Sequence, residues 1–172
     1  AVFGLYRDDR GATWHRGEFV PAENLGNETQ FAELADGRVL ADVRQSGGPH
    51  RWQSLSDDGG RTWSKPRPGA KVTPVACSIE RYTLKSAGDD RNRILWAGPK
   101  GPGRNNLVVR VSYDEGKTFP RERQIAAGPA AYSDLTVLED GRVGVLWERG
   151  EKRGYQFITF TRFDLDFIEP DR

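Results

Sequence analysis

An all-β fold is predicted for this chain by three observations. It is rich in turn formers, with 20 Gly and 10 Pro among 172 residues, and no stretch of about ten residues shows the apolar period of a helix. Two Asp-Gly dipeptides each lie between alternating apolar runs, a strong short-range signal of a β-hairpin. One octapeptide occurs three times.

The hairpins are themselves a repeat. Leu34-Ala35-Asp36-Gly37-Arg38-Val39 returns as Leu138-Glu139-Asp140-Gly141-Arg142-Val143. The first predicts a hairpin joining residues 31–34 to 39–43, the second one joining 135–138 to 143–147. The octapeptide has the form Ser-x-Asp-x-Gly-x-Thr-aromatic. It occupies residues 56–63 and 112–119, and a third copy occupies 7–14, with Arg7 in place of Ser. Each copy follows a short strand, at 5–6, 52–55 and 107–111.

The octapeptide's chemistry is that of a turn. A buried Asp accepts backbone N–H bonds, the Gly adopts a backbone shape that other residues avoid, and the aromatic packs between sheets. Asp9, Asp58 and Asp114 are therefore read as structural. The paired acids Asp8-Asp9 and Asp57-Asp58 could suggest catalysis, but an acid that recurs in every repeat is better explained by the folding of the repeat.

Between these signals, 78–84, 93–97 and 155–163 are rich in Ile, Tyr, Phe, Thr and Trp and read as strands. The cycle of strand, Asp-Gly turn, strand, loop, strand, octapeptide turn, strand takes about 50 residues, the size of a four-stranded blade of a β-propeller. Residues 1–24 read as the end of one blade and 25–172 as nearly three more.

Composition excludes other classes. Hydrophobic residues at 36% and charged residues at 30% suit a globular chain. A net charge of +1 gives no footing for a nucleic-acid or membrane-surface partner. No apolar run is long enough to span a bilayer. The single cysteine, Cys77, excludes an internal disulfide. A start at Ala1 without a visible signal peptide reads as a processed or truncated product. His15 and His50 have no carboxylate or Cys array at ligand spacing, so no metal is expected. Gly98–Gly103 lacks the strand, Lys and helix of a phosphate loop. Cys77, after Pro74-Val75-Ala76, reads as a buried, inert thiol.

The octapeptide resembles the Asp box of sialidases and related propellers. Asn27-Glu28-Thr29 leading into Glu33–Leu40 and Arg44 is similar to the bacterial exo-α-sialidase signature. So are Val108–Ser112 entering an Asp box, Ala131-Tyr132-Ser133-Asp134-Leu135, and Leu146-Trp147-Glu148. The likeness covers essentially the whole chain and is nearest in wording to the secreted actinobacterial members. It implies a six-bladed propeller of which 1–172 is a C-terminal part of the catalytic domain. About three to three and a half blades are covered, and the N-terminal blades are to come from the parent chain or a partner fragment. It implies a retaining exo-sialidase without cofactor, acting on sialylated glycans and secreted by a bacterium.

The resemblance also assigns roles. The sugar's anomeric carbon bears a carboxylate, which Arg grips through bidentate bonds; Arg44 and Arg110 match two of the family's three arginines. Their ordinary reading is solvated strand arginines. A carboxylate nucleophile would be repelled by that anion, and sialidases use Tyr instead. Tyr132 matches this nucleophile and Glu28 its base, against ordinary readings of a strand aromatic and a surface acid. Glu148 matches an acid that holds an active-site arginine; otherwise it is a surface partner of Arg149 or Arg153. Because a glycan beside Glu28 would block the site, the Asn27-Glu28-Thr29 sequon is discounted. The first arginine and the Asp acid/base have no counterpart in 1–172. Asp42 stands where Asn is usual, Trp147 replaces a usual Tyr, and Cys77-Ser78-Ile79 shortens a family pocket stretch. The alternative function is a non-catalytic propeller that holds acidic glycans or proteins.

Overall fold

The computed structural model describes residues 1–22 and 26–170. The expected boundary between the first partial blade and the rest, at 24/25, lies outside them. Strands β1 (Val2–Tyr6) and β2 (His15–Val20) form a two-stranded antiparallel sheet. Strands β3 (Thr29–Glu33), β4 (Val39–Val43), β5 (His50–Ser56) and β6 (Arg67–Lys71) form a four-stranded meander in chain order. The remaining six run continuously: β7 (Ser78–Thr83), β8 (Arg93–Pro99), β9 (Asn105–Ser112), β10 (Arg121–Val137), β11 (Val143–Arg149) and β12 (Phe157–Phe163).

Strand β10 serves two blades. Its first half pairs with β9, from Arg121↔Val111 to Pro129↔Asn105. Its second half pairs with β11, from Ala130↔Arg149 to Val137↔Val143. The register breaks around Ala126 and again between Ala130 and Ser133. Gly128, at φ +82°, and Pro129 lie at the junction, where a bend needs a residue tolerant of positive φ and a missing ladder donor. The chain thus carries the end of one blade, two full blades and three strands of a fourth. This is a β-propeller architecture, as its blade-length repeat predicts. The start of β10 had no sequence signal because its first half, Arg-Glu-Arg-Gln, is a largely exposed outer strand with no apolar alternation.

The first Asp-Gly hairpin closes as predicted. Leu34 and Arg38 are hydrogen-bonded, Gly37 has φ +84°, and the Arg38 N–H donates to Asp36 Oδ1. The second repeats this at Leu138, Arg142, Gly141 and Asp140. In the octapeptide turns, Asp58 accepts from Thr62 N at 2.9 Å, Thr62 Oγ1 at 2.6 Å and Ser56 Oγ at 2.7 Å. Asp114 accepts the same set from Thr118 and Ser112, and Asp9 accepts from Thr13 N and Oγ1. Two successive residues in each turn have positive φ: Arg10-Gly11, Gly59-Gly60 and Glu115-Gly116. The aspartates are not buried as expected. Asp9 is exposed and the other two are half-buried, because their partners are turn groups on the rim.

Three apolar clusters lie between successive sheets. Val20, Ala41, Val43 and Trp52 join the first two. Leu40, Ile79, Ile94 and Trp96 fill the next gap. Leu95, Val109, Val111, Val145 and Trp147 fill the last. Strand β8 sends Ile94 and Trp96 one way and Leu95 and Ala97 the other, so every residue of it is buried. Alternation then separates two cores rather than core from solvent. The outer faces are different: Phe3, Leu5 and Phe19 on β1–β2 are exposed, as are Leu146, Ile158 and Phe160 on β11–β12. Trp14 and Phe157 also meet solvent. Phe163 does not. It turns into the last core cluster and packs, tilted, against Phe167 of the short helix α1 (Leu165–Ile168).

Candidate active site

The β3–β4 ladder extends one step past the strands. Arg44 N–H donates to the Glu28 carbonyl at 3.1 Å, and Asn27 N–H to the Arg44 carbonyl at 3.0 Å. Glu28 and Arg44 therefore face each other, and Arg44 Nη1 donates to Glu28 Oε2. Tyr132 arrives from the second half of β10, two blades on, and its hydroxyl donates to Glu28 Oε1. Arg44 Nη1 also lies 3.1 Å from the Tyr132 oxygen. The three side chains close a triangle over sequence separations of 16, 88 and 104 residues.

Partial burial pushes the Glu28 carboxyl up. The bonds from Tyr132 and Arg44 and the charges of Arg44 and Arg104 outweigh it and hold the group below its ordinary value of 4.5. Burial likewise opposes the charge of Arg44, but its bonds to Glu28 and Tyr132 raise it further. The Arg44 Nε–H is buried and has no hydrogen-bond partner among the described residues. The arrangement is a phenol aimed at an ionised carboxylate beside a fixed cation. A carboxylate so placed can accept the phenol's proton, and the guanidinium can stabilise the phenolate that results.

Arg110 is a correction. Its Nε donates to Glu122 at 2.9 Å, its Nη1 to the Lys71 carbonyl at 3.0 Å, and its plane lies 4.8 Å from the Trp96 ring centre. It stands directly across the ladder from Trp96 and Glu122, so its own sheet absorbs it. Among the described residues no hydrogen bond or ion pair joins it to Glu28, Arg44 or Tyr132. Arg104 stands where a second cation was expected. Its guanidinium lies 5.4 Å from the Tyr132 ring centre and 5.9 Å from that of Tyr155. Ala130 N–H donates to the Arg104 carbonyl at 2.9 Å, which brings the start of β9 beside Tyr132. The available signal was position: Glu28 and Arg44 lie just beyond strand ends, as Arg104 does, whereas Arg110 lies inside a strand.

Among the described residues Glu148 binds no arginine; its Oε2 accepts the Tyr132 backbone N–H at 3.1 Å. Beside it opens a cleft of about 310 Å³, bounded by Gln30, Tyr132, Asp134, Leu146, Glu148 and Ile158. Gln30 donates to Asp134 at 2.8 Å across its mouth. Burial pushes the Cys77 thiol up to about 12, so it stays protonated and unreactive at neutral pH. Among the described residues no three His, Cys, Asp or Glu side chains cluster as metal ligands would.

Comparison with known proteins follows the same line. A family model described as a BNR repeat-like domain matches residues 1–145. A sialidase of Micromonospora viridifaciens is 34% identical over 170 residues, covering 95% of this chain and 25% of that protein. A sialidase of Vibrio cholerae is 30% identical over 177 residues, covering 86% of this chain and 22% of that protein. The chain thus spans about a quarter of the length of these two relatives. Among solved structures, the Hadza microbial sialidase Hz136 superposes with a TM-score of 0.79 at 27% identity, covering 95% of this chain and 32% of that one. The NanB sialidase of Streptococcus pneumoniae gives 0.79 at 23%, covering 95% and 27%, a likeness of fold.

Proposed function

This chain belongs to the BNR repeat-like domain family, with sialidases as relatives along its length, and from that premise we propose that it forms part of a retaining exo-α-sialidase. The observation that carries the reading is the Glu28–Arg44–Tyr132 triangle. The substrate is a terminal sialic acid, whose carboxylate pairs with Arg44 and with Arg104, the latter replacing Arg110 in this role. Glu28 takes the phenol proton as Tyr132 Oη attacks the anomeric carbon. One C–O bond forms to Tyr132 as the bond to the leaving sugar breaks, and water later cleaves the glycosyl–tyrosine. A neutral phenol approaches beside the substrate's anion without the repulsion an ionised acid would meet. The acid that protonates the leaving oxygen is assigned to no residue of 1–172.

The exposed apolar faces of β1–β2 and β11–β12 suit coverage by further blades of the same propeller. Secretion comes to this proposal from the resemblance alone; among the described residues no helix is long and apolar enough to cross a membrane. The test is turnover of an aryl sialoside by the intact gene product and its Tyr132→Phe variant. The variant is expected to lose nearly all turnover while still binding a sialic acid analogue. Wild-type turnover in the variant would remove Tyr132 as nucleophile, and binding without turnover in the wild type would favour the glycan-holding alternative.

A further inference from the structure

Beneath the triangle lies a charged side chain that the proposed chemistry does not use. Arg51 on β5 is almost fully buried, at 1% exposure. Its Nε donates to the carboxylate of Asp42, itself wholly buried. Its Nη2 donates to the Asp42 carbonyl at 2.7 Å and to the Glu28 carbonyl at 3.4 Å, and its Nη1 to the Val75 carbonyl at 3.0 Å. One guanidinium thus ties β4, the segment before β3 and the segment before β7. Asp42 also accepts from Trp96 Nε1 at 3.2 Å, so the anchor is fixed from β8 as well.

Burying a charged pair is costly, and apolar residues of similar size hold a core as well or better. What the pair supplies here is direction. Four donor bonds in a planar fork leave the guanidinium one orientation. Glu28 itself lies outside the β3 strand, and its side chain is 38% exposed, so its place depends on backbone bonds to Arg44 and Arg51.

We propose that Arg51 is a positioning residue: locked by Asp42, it holds the Glu28 backbone so that the Glu28 carboxylate meets Tyr132 and Arg44. This deepens the sialidase reading and rests on it for its kinetic consequence alone. The groups that face the Glu28 carboxylate are Tyr132, Arg44 and Arg104. Loosening Glu28 weakens its bonds to the first two, which hold its carboxyl low.

The experiment uses the intact gene product and two variants. Arg51→Lys keeps the charge opposite Asp42 but cannot span three backbone segments. The double variant Arg51→Met with Asp42→Asn removes the buried charges together, so no uncompensated charge opposes folding. Carbon-13 NMR follows the titration of the Glu28 carboxyl, and aryl sialoside kinetics follow turnover. In both variants the Glu28 midpoint is expected to move up toward an ordinary glutamate value. The kcat is expected to fall at least tenfold with KM changed less than twofold. Folded variants with unchanged Glu28 midpoint and kcat, and only a lower Tm, would overturn the proposal. An Arg51-dependent Glu28 midpoint in a wild type without sialoside turnover would uphold the positioning and sink the sialidase reading instead.

Discussion

The octapeptide aspartates and Glu28 all accept bonds from hydroxyl groups, and they find their partners over very different lengths of chain. Asp9, Asp58 and Asp114 bind a Thr four residues on. Glu28 binds a Tyr 104 residues on. The octapeptide carboxylates work within one turn on the rim and need only that turn to fold. Glu28 meets Tyr132 only when three sheets have stacked. The same chemical contact is thus a folding element in one region and the product of folding in the other. The first kind should be convertible into stability, and the second into activity.

Glu28→Gln is the sharpest way to separate them. The amide keeps the shape but cannot take the phenol proton, so kcat should fall by about 10²- to 10⁴-fold with little change in Tm, measured by aryl sialoside kinetics and calorimetry. The pH dependence has a definite sign. The folded Glu28 carboxyl lies below 4.5, so the small stability its charge contributes is present above that value and is lost as pH falls through the folded midpoint. The ionised acceptor likewise persists to lower pH than an ordinary glutamate would. An acid limb of kcat/KM lying above 4.5 would contradict this.

Ser112→Ala tests the other region. The Ser112 hydroxyl is buried, receives the Gly116 N–H at 2.8 Å and donates to Asp114 at 2.8 Å. Without it the Gly116 N–H is buried and unpaired, at a cost of about 1–3 kcal/mol. Denaturant unfolding should report that loss, while kcat stays within about twofold in terms of the same free-energy scale. A variant with unchanged stability but lower kcat would erase the distinction.

The contrast also accounts for what the sequence made legible. The octapeptides and the Asp-Gly hairpins are local, and β3, β4 and β5 fall where their turns require. Strand β10 carries a sequence signal only in its second half, because its exposed first half has no apolar period. The site was half legible. Glu28, Arg44 and Tyr132 occur in a family order that could be matched by eye, and the structure brings them together. Arg110 and Arg104 lie six residues apart in one segment, and choosing between them depends on which faces the other blades. That information resides in the pairing of Arg110 with Trp96 and Glu122, contacts 14 and 12 residues away across neighbouring strands. Asp42, which stands where Asn is usual, is the buried partner of Arg51.

The smallest effect is expected at the first octapeptide, where the local rule is broken. Arg7 occupies the Ser position, so no hydroxyl receives the Gly11 N–H. Instead the guanidinium lies 5.2 Å from the Trp14 ring centre, and Trp14 is 59% exposed. This turn belongs to the two-stranded β1–β2 sheet, whose outer face is bare, so its groups reach water and do not depend on a protein partner. Arg7→Ser restores the hydroxyl but forfeits the cation–ring contact, worth about 0.5–1 kcal/mol at an exposed site. The two nearly cancel, and global stability should stay within about 0.5 kcal/mol, the range of ordinary surface substitutions. Hydrogen exchange should nevertheless show slower exchange at Gly11, because its N–H, already bonded to the Asp9 carboxylate, gains a second acceptor. A stability gain as large as the Ser112→Ala loss would mean that the serine acts independently of burial, and the distinction between rim turn and stacked core would then need a different physical basis.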